Sequence, residues 1–354
     1  MDIINNNITR PTGGGVTGNL SNKISIIYSS DNNFAEILGV SLVSLYENNT
    51  SFSEIDIYVV EENISDENKE KLQSIPTNYD RSAINFLRCP NLNNLLNLNI
   101  STDRGSLSQF SRLLIGSVLP KELNRVLSLD CDTVIKNDLH ELWELNLNNK
   151  TVAALSDCFS KYYRKNIGLS ADSIIFNPGV FLVNLNKWRA LNVEARLLSY
   201  LKKKKGIVQQ SDLGVLNNVL SKDCCVIDPK FNAVTILFDF NYQEILNYRN
   251  PPIEFYSEDI INTAINNPYI IHYTSSFMSK RPWMKGCQHK YADLWLLYKS
   301  KSPWKDAPLM NDNRNKLKMF CYSLAKKLPR SLLILIASIF QVYLRPLKNR
   351  FICL

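Results

Sequence analysis

Apolar and polar positions fall into blocks along the chain, and the blocks switch between two periods. Lys23-Ile-Ser-Ile-Ile-Tyr-Ser-Ser-Asp31 is apolar with a polar end and predicts a buried strand. Phe34, Ile37, Leu38, Leu42 and Leu45 then recur at three- to four-residue spacing, which predicts a helix over Asn33–Glu47. Ile55–Val60 predicts a second strand, Ser65–Ile75 a helix capped by Ser65, and Ile84–Leu87 a short strand. Residues 89–105 are Asn-rich and read as irregular, and Leu107–Leu119 reads as a helix stopped by Pro120. Val126–Ile135 reads as a strand that ends in two carboxylates, Asp130 and Asp132, and Val152–Leu155 as another strand. Ile174–Leu185 is apolar but interrupted by Asn177-Pro178-Gly179. Trp188–Lys205 predicts an amphipathic helix with Gly206 as its C-cap and Lys202–Lys205 at its negative dipole end. Asp212–Leu220 predicts a helix, and Tyr269–Tyr273 a last strand ending near His272. Strands alternating with helices imply an α/β fold with a mostly parallel, Rossmann-like sheet covered on both faces. Ligands of such sheets bind beyond the carboxyl ends of the strands, where Asp31, Asp130 and Asp132 lie.

The chain has 354 residues, enough for a large core and one or two domains. Residues 1–22 hold no apolar run of the signal-peptide kind and read as a flexible tail. Gly13-Gly14-Gly15-Val16-Thr17-Gly18 within it matches a dinucleotide motif by letter, but no strand precedes it and no helical pattern follows. The eight cysteines show neither a Cys-x-x-Cys pair nor zinc spacing, so the expectation is reduced thiols in a cytoplasmic protein.

Charge changes the picture at the other end. Residues 311–354 hold nine Lys/Arg against Asp312 alone, which equals the whole formal excess of +8. Within them, Ser331–Leu344 is a 14-residue apolar stretch with three polar residues. That is short of the ~17–25 residues that span a bilayer. An apolar stretch between basic clusters, with Tyr322, Tyr343 and Phe351, suits a helix lying in an anionic membrane interface. The basic residues are interleaved with Leu and Ile rather than spread over a polar face, which argues against nucleic acid as a partner. The expected division is therefore a tail over 1–22, one domain over 23–306, and a membrane-associating segment over 307–354, peripheral on the inner face of the cytoplasmic membrane.

The candidate chemistry centres on Leu129-Asp130-Cys131-Asp132. On extended backbone the two carboxylates point to the same side, roughly 6.5–7 Å apart. Two like charges at the end of a buried strand call for a cation, and Mn²⁺ or Mg²⁺ would bring phosphate oxygens with it. A cap on the following turn is the plainer alternative. Of the three histidines, His140 reads as a surface residue and His289 lies in a polar run. His272 ends an apolar strand and could complete a metal site or be a core histidine. Lys280 and Arg281 nearby offer charge for a diphosphate. There is no Walker pattern and no Ser-His-Asp or Cys-His arrangement.

Several motifs in order resemble glycosyltransferase family 8, the retaining family of lipopolysaccharide α-galactosyl- and α-glucosyltransferases and glycogenin. The resemblance covers roughly residues 23–306. It rests on Ser29-Ser30-Asp31-Asn32-Asn33-Phe34, Phe110-Ser111-Arg112-Leu113, Leu129-Asp130-Cys131-Asp132, Phe176-Asn177-Pro178-Gly179-Val180 with Asn184–Arg189, Ser211–Asn217, and Ile271-His272-Tyr273 with Arg281-Pro282-Trp283. It implies a GT-A type fold and a UDP-hexose donor, with Ser29, Asp31, Asn33 and Phe34 around the uridine and Arg112 contacting the donor. It implies Mn²⁺ or Mg²⁺ on Asp130, Asp132 and His272, Lys280 or Arg281 on phosphate, and Asn177 and Asp212 orienting the sugar. The implied acceptor is a glycan or glycolipid. Two positions depart from the family pattern: Leu213 stands where an amide is usual, and Arg281 stands for a phosphate-binding Lys. Two further readings follow. One is glycogenin-like self-glucosylation, for which Tyr162 and Tyr163 are the nearest tyrosines to the substrate half. The other is a UDP-sugar-binding protein without turnover, which Leu213 makes conceivable.

Overall fold

The computed structural model describes residues 22–102, 106–253, 255–312 and 327–352. The expected tail, apart from Asn22, and the basic residues of 313–326 lie outside them. The described strands are β1 (Lys23–Asp31), β2 (Glu54–Glu62), β3 (Asn85–Arg88), β4 (Arg125–Leu129), β5 (Thr133–Ile135), β6 (Val152–Ser156), β7 (Phe176–Asn184), β8 (Cys224–Val226), β9 (Ala233–Val234) and β10 (Ile270–His272). Seven form one sheet in the order β3-β2-β1-β4-β7-β6-β8, and a small second sheet has the order β5-β10-β9.

The near-continuous apolar runs have a simple cause: the large sheet is buried on both faces. Ile24, Ile26 and Tyr28 of β1 join one core cluster and Ile27 the other. Leu127 and Leu129 of β4 divide from Val126 in the same way. The helix Ala35–Asn48 covers the first face, preceded by a 3₁₀ turn over Asn32–Phe34. On the second face, Trp188 and Leu197 come from two helices, Leu185–Ala190 and Val193–Lys203. Ser65 accepts from the Asn68 N–H at 3.3 Å and caps the helix Asp66–Asn78, as its position predicts.

The sheet is mostly parallel, with one reversal. β1 runs parallel to both β2 and β4, β2 to β3, and β6 to β8. β7 runs antiparallel to both β4 and β6. Asn177-Pro178-Gly179 does not end this strand. It lies inside β7, where the pairing with β6 shifts register between Ala154 and Leu155. A bulge accommodates the Pro, which has no N–H to give to a ladder.

Four local expectations are corrected. Leu107–Leu119 is a 3₁₀ helix over Ser108–Leu114 followed by one α-turn over Ile115–Val118. Trp188–Lys205 is not one helix, because Asn192 takes a left-handed φ of 47° and separates two. The irregular stretch 89–105 contains a short helix, Leu92–Leu96. His140 is not a surface residue: its ring stacks on Phe52 at 3.6 Å between centroids and its Nδ1 meets Asp138 at 2.7 Å. Gly206 does carry the C-cap, with a φ of 77° and its N–H on Leu201 O at 3.0 Å.

The C-terminal segment is one helix of 22 residues, Arg330–Phe351, with a mean hydropathy of 1.4 over its most apolar window. By length and composition it is the one helix among the described residues able to cross a membrane. Its turn at Ile339–Leu344 is π-helical. Ile334, Gln341 and Val342 are buried against the body, while Leu335, Ile339, Phe340, Tyr343, Leu347 and Phe351 are exposed. Arg330 ties its start to both carboxylate oxygens of Glu244, at 2.6 and 2.7 Å.

Candidate active site

The carboxyl ends of β1, β4 and β10 and the bulge of β7 meet at one edge of the molecule. They wall a cleft of about 550 Å³. Ser29, Asp31, Asn33, Phe34, Arg112, Asp130, Asp132, Asn177, Asp212 and His272 all line it. Most of the residues selected in the sequence are thus gathered, although they span some 240 positions.

Asp130 and Asp132 do not sit along an extended strand. β4 ends at Leu129 and β5 begins at Thr133, so both carboxylates lie on the turn between the two sheets. There they meet His272, at the end of β10, which pairs with β5 through Thr133. One ligand atom from each of Asp130, Asp132 and His272 lies within 4.8 Å of the others. His272 Nε2 is 3.1 Å from Asp132 Oδ1 and 3.4 Å from Asp130 Oδ2. Its other nitrogen, Nδ1, is 2.9 Å from Asn232 Oδ1 and donates to it, which aims Nε2 at the carboxylates. Asp132 Oδ2 is buried and has no hydrogen-bond partner, with the Arg281 guanidinium 3.6 Å away. An orphaned carboxylate oxygen beside an oriented imidazole suits a divalent cation, and the mixed oxygen–nitrogen donors fit Mn²⁺ better than Mg²⁺.

The electrostatics agree. Burial pushes both carboxyls up, but Arg112 and His272 hold Asp130, and His272 and Arg281 hold Asp132, below the usual carboxylate range. Burial lowers the His272 imidazole, yet Asp132 and Asp130 outweigh it and raise its pKa to about 9.

Gly179 makes the packing possible. A Cβ there would lie 2.1 Å from His272 Cε1 and 2.9 Å from Asp130 Oδ2. The β7 bulge thus brings bare backbone against the triad, and the Gly179 carbonyl accepts from the Asp130 N–H at 2.7 Å.

Arg112 holds the wall together. It donates to Pro178 O at 2.7 Å, pairs with Asp130, and lies 3.1 Å from Asp212 Oδ2. Asn177 accepts from Gly179 N and Asn232 Nδ2 and donates to Asp157 Oδ2. The Asp31 carboxylate accepts from the Asn33 and Phe34 N–H groups, and Ser29 Oγ accepts from Ser111 Oγ at 2.6 Å. Arg281 bonds Ser275 Oγ at 2.7 Å beside the triad. Neither Arg281 nor Lys280 is among the residues lining the cleft, and Lys280 turns elsewhere, to Asp312 at 3.4 Å and Lys285 O at 3.1 Å. Leu213 lines the cleft, so the side chain that departs from the family pattern faces it.

Sequence reasoning passed over Asn232, Asp157, Gln210, Arg249 and Arg345 as site residues. Asn232 touches the triad's imidazole, and the others line the cleft. Gln210 and Ser211 hold left-handed φ values of 62° and 50°, strain of the kind a site can store. Ser211 opens the Ser211–Asn217 motif, whereas no letter pattern marks Gln210 and only the fold brings it in. A second hollow of about 560 Å³, against β2 and β3 and lined by Glu61, Lys69 and Arg88, contains none of the triad.

With this geometry in view, residues 25–287 match the model of glycosyl transferase family 8, and the chain belongs to that family. It is a glycosyltransferase of the GT-A fold. It is 24% identical over 282 residues to general stress protein A of Bacillus subtilis, covering 79% of this chain and 94% of that one. It is 24% identical to the lipopolysaccharide 1,3-galactosyltransferase of Salmonella typhimurium, covering 82% of each chain. Among solved structures, the galactosyltransferase LgtC, in complex with donor and acceptor sugar analogues, superposes with a TM-score of 0.66 at 21% identity, over 79% of this chain and 96% of that one.

Proposed function

We propose that the chain is a retaining hexosyltransferase that moves galactose or glucose from a UDP-sugar to a cell-surface glycan, such as a lipopolysaccharide or capsule precursor. The observation that carries this reading is the Asp130–Asp132–His272 triad, with its orphaned oxygen, in the cleft of a family 8 chain. The likeness to a lipopolysaccharide galactosyltransferase supports the acceptor class.

Asp130, Asp132 and the Nε2 of His272 would hold the cation. When bound, it would neutralise the charge that develops on the leaving diphosphate. Asp31, Asn33 and Phe34 form the wall assigned to the nucleotide, and Arg281 stands where it can swing from Ser275 to a phosphate oxygen. Arg112 is committed to Pro178, Asp130 and Asp212, so its main role is to fix the carboxylates. Asp212 and Asn177 orient the sugar hydroxyls. Retention follows if the acceptor hydroxyl attacks the face that UDP leaves, passing its proton to the departing phosphate.

Residues 23–306 carry transfer in this reading, and 307–354 hold the enzyme on the cytoplasmic face of the membrane. The exposed apolar row of Arg330–Phe351, with Lys327, Arg330, Lys348 and Arg350 at its ends, suits a helix lying in the interface on one side and on the protein on the other.

The test is the anomeric configuration of the product made from an α-linked UDP-hexose. An α-glycoside by proton NMR supports the reading, and a β-glycoside overturns retention. Intact-protein mass on incubation with UDP-glucose separates self-glucosylation: hexose increments on Tyr162 or Tyr163 would replace the glycan acceptor. Tyr163 is 2% exposed, with its hydroxyl buried and unbonded, and Tyr162 packs on Tyr343 at 5.4 Å, so neither stands as a ready acceptor. UDP uptake with no transfer to any acceptor is the outcome expected of a chain without turnover.

A further inference from the structure

The cleft has a cationic part that the donor chemistry does not use. Arg249, the last residue of the helix Tyr242–Arg249, and Arg345, on the C-terminal helix, both line it. The Arg249 guanidinium lies against the rings of Phe159 and Tyr248, at 4.8 and 5.1 Å from their centroids. Its Nε is buried without a hydrogen-bond partner. Among the described residues neither arginine forms an ion pair, although five carboxylates line the same cleft. Asp130 and Asp212 are taken by Arg112, Asp132 by His272, Asp31 caps the turn after β1, and Asp157 accepts from Asn177 and the Cys158 N–H. Both arginines act on one spot: burial raises the Tyr163 phenol, and Arg345 and Arg249 oppose it.

A buried guanidinium nitrogen without an acceptor is costly, and two like charges on one wall compound the cost. Aromatic faces offset part of it. An anion with two or more oxygens, a carboxylate or a phosphate, would complement both groups. In the proposed reaction the donor's diphosphate is not that anion, since its charge would fall to the triad's cation and Arg281. Arg345 is also held in place. The next residue, Pro346, accepts from Asn166 Nδ2 at 2.7 Å, and Tyr343 packs on Tyr162. The π-helical turn before it shifts the helical phase where the helix meets the body.

We propose that Arg249 and Arg345 form a subsite for an anionic substituent, a phosphate or a carboxylate, on the acceptor saccharide. This rests on the glycosyl-transfer reading and deepens it by naming the acceptor's charge. It also gives the C-terminal helix a part in the cleft, because one of the two cations arrives on it.

The experiment uses the full chain saturated with UDP and Mn²⁺, so that the donor's phosphate sites are filled. Binding of glucose 6-phosphate, glucuronate and glucose is measured by calorimetry. One or both anionic sugars bind about tenfold or more tighter than glucose, and which one does so separates phosphate from carboxylate. Arg345→Glu, a change at an exposed side chain, abolishes the preference, and Arg249→Lys reduces it, while UDP affinity stays unchanged in both. Equal affinity for the three sugars in a chain that takes up UDP normally overturns the subsite alone, as does a preference that survives in both variants. A wild-type chain that fails to take up UDP with Mn²⁺ removes the donor reading and the subsite with it.

Discussion

Gly179 is the position at which one added carbon decides whether the triad can form. In Gly179→Ala the new methyl would sit 2.1 Å from His272 Cε1, and a buried ring on a paired strand has little room to retreat. Mn²⁺ affinity should fall at least about tenfold, the scale of losses when ligand orientation is disturbed. Unchanged affinity, read by paramagnetic resonance, would place the cation elsewhere. A second residue sets a pH limit on stability. His289 is 5% exposed, its Nδ1 accepts from the Tyr291 N–H, and burial pushes its pKa down to about 4. The unfolded chain binds this proton from about pH 6.5 downward and the folded chain only near 4, so the native state loses stability as pH falls through that window. The full loss is about 3 kcal/mol. Urea unfolding at pH 7.5 and pH 4.5 should show it, and His289→Phe should flatten the difference. Asp130 and Asp132 stood out in the sequence because two carboxylates follow a buried apolar run, and the family resemblance, rather than residue type alone, joined His272 to them. Asn232 did not stand out, since an asparagine 40 residues before His272 gives no sign that it will meet the imidazole.

Elements were legible where periodicity is long and unbroken. β1, β2 and the helix Ala35–Asn48 match their apolar patterns to within one or two residues. The misses share a cause: a local backbone choice that preserves the apolar pattern while changing its path. Asn192 interrupts a helical period without disturbing it, because its left-handed turn starts a second helix with its own apolar face inward. Asn tolerates that conformation and β-branched residues do not. Asn192→Gly should therefore leave stability near wild type, whereas Asn192→Val should cost about 1–2 kcal/mol in urea unfolding. Equal stabilities would mean that the turn is not held in the native state. β7 misled in another way. Pro and Gly within an apolar run read as a break, yet the bulge keeps the strand intact and aims the Gly179 backbone at the triad. The reversed direction of β7 leaves no trace in a sequence, since buried strands read alike in either orientation.

At the scale of the molecule, one edge gathers the chemistry and one helix leaves an apolar face uncovered. Leu335 is 57% exposed and Phe340 60%, on the helix that also supplies Arg345 to the cleft. Replacing both with Glu should reduce co-sedimentation with phosphatidylglycerol vesicles several-fold, because each apolar anchor is lost and negative charge is added. Hydrolysis of a soluble donor should be unaffected. Retained binding would leave attachment to the basic residues alone. The proposed role of Asp130, Asp132 and His272 is to hold a cation that would neutralise the departing UDP. Its most direct test is the release of UDP from a panel of UDP-hexoses by the purified chain, with Mn²⁺ and with chelator, beside Asp132→Asn. Slow release from one hexose, lost with chelator and reduced at least about a hundredfold in the variant, is the predicted result. Release at equal rates with chelator, or by Asp132→Asn, would contradict it.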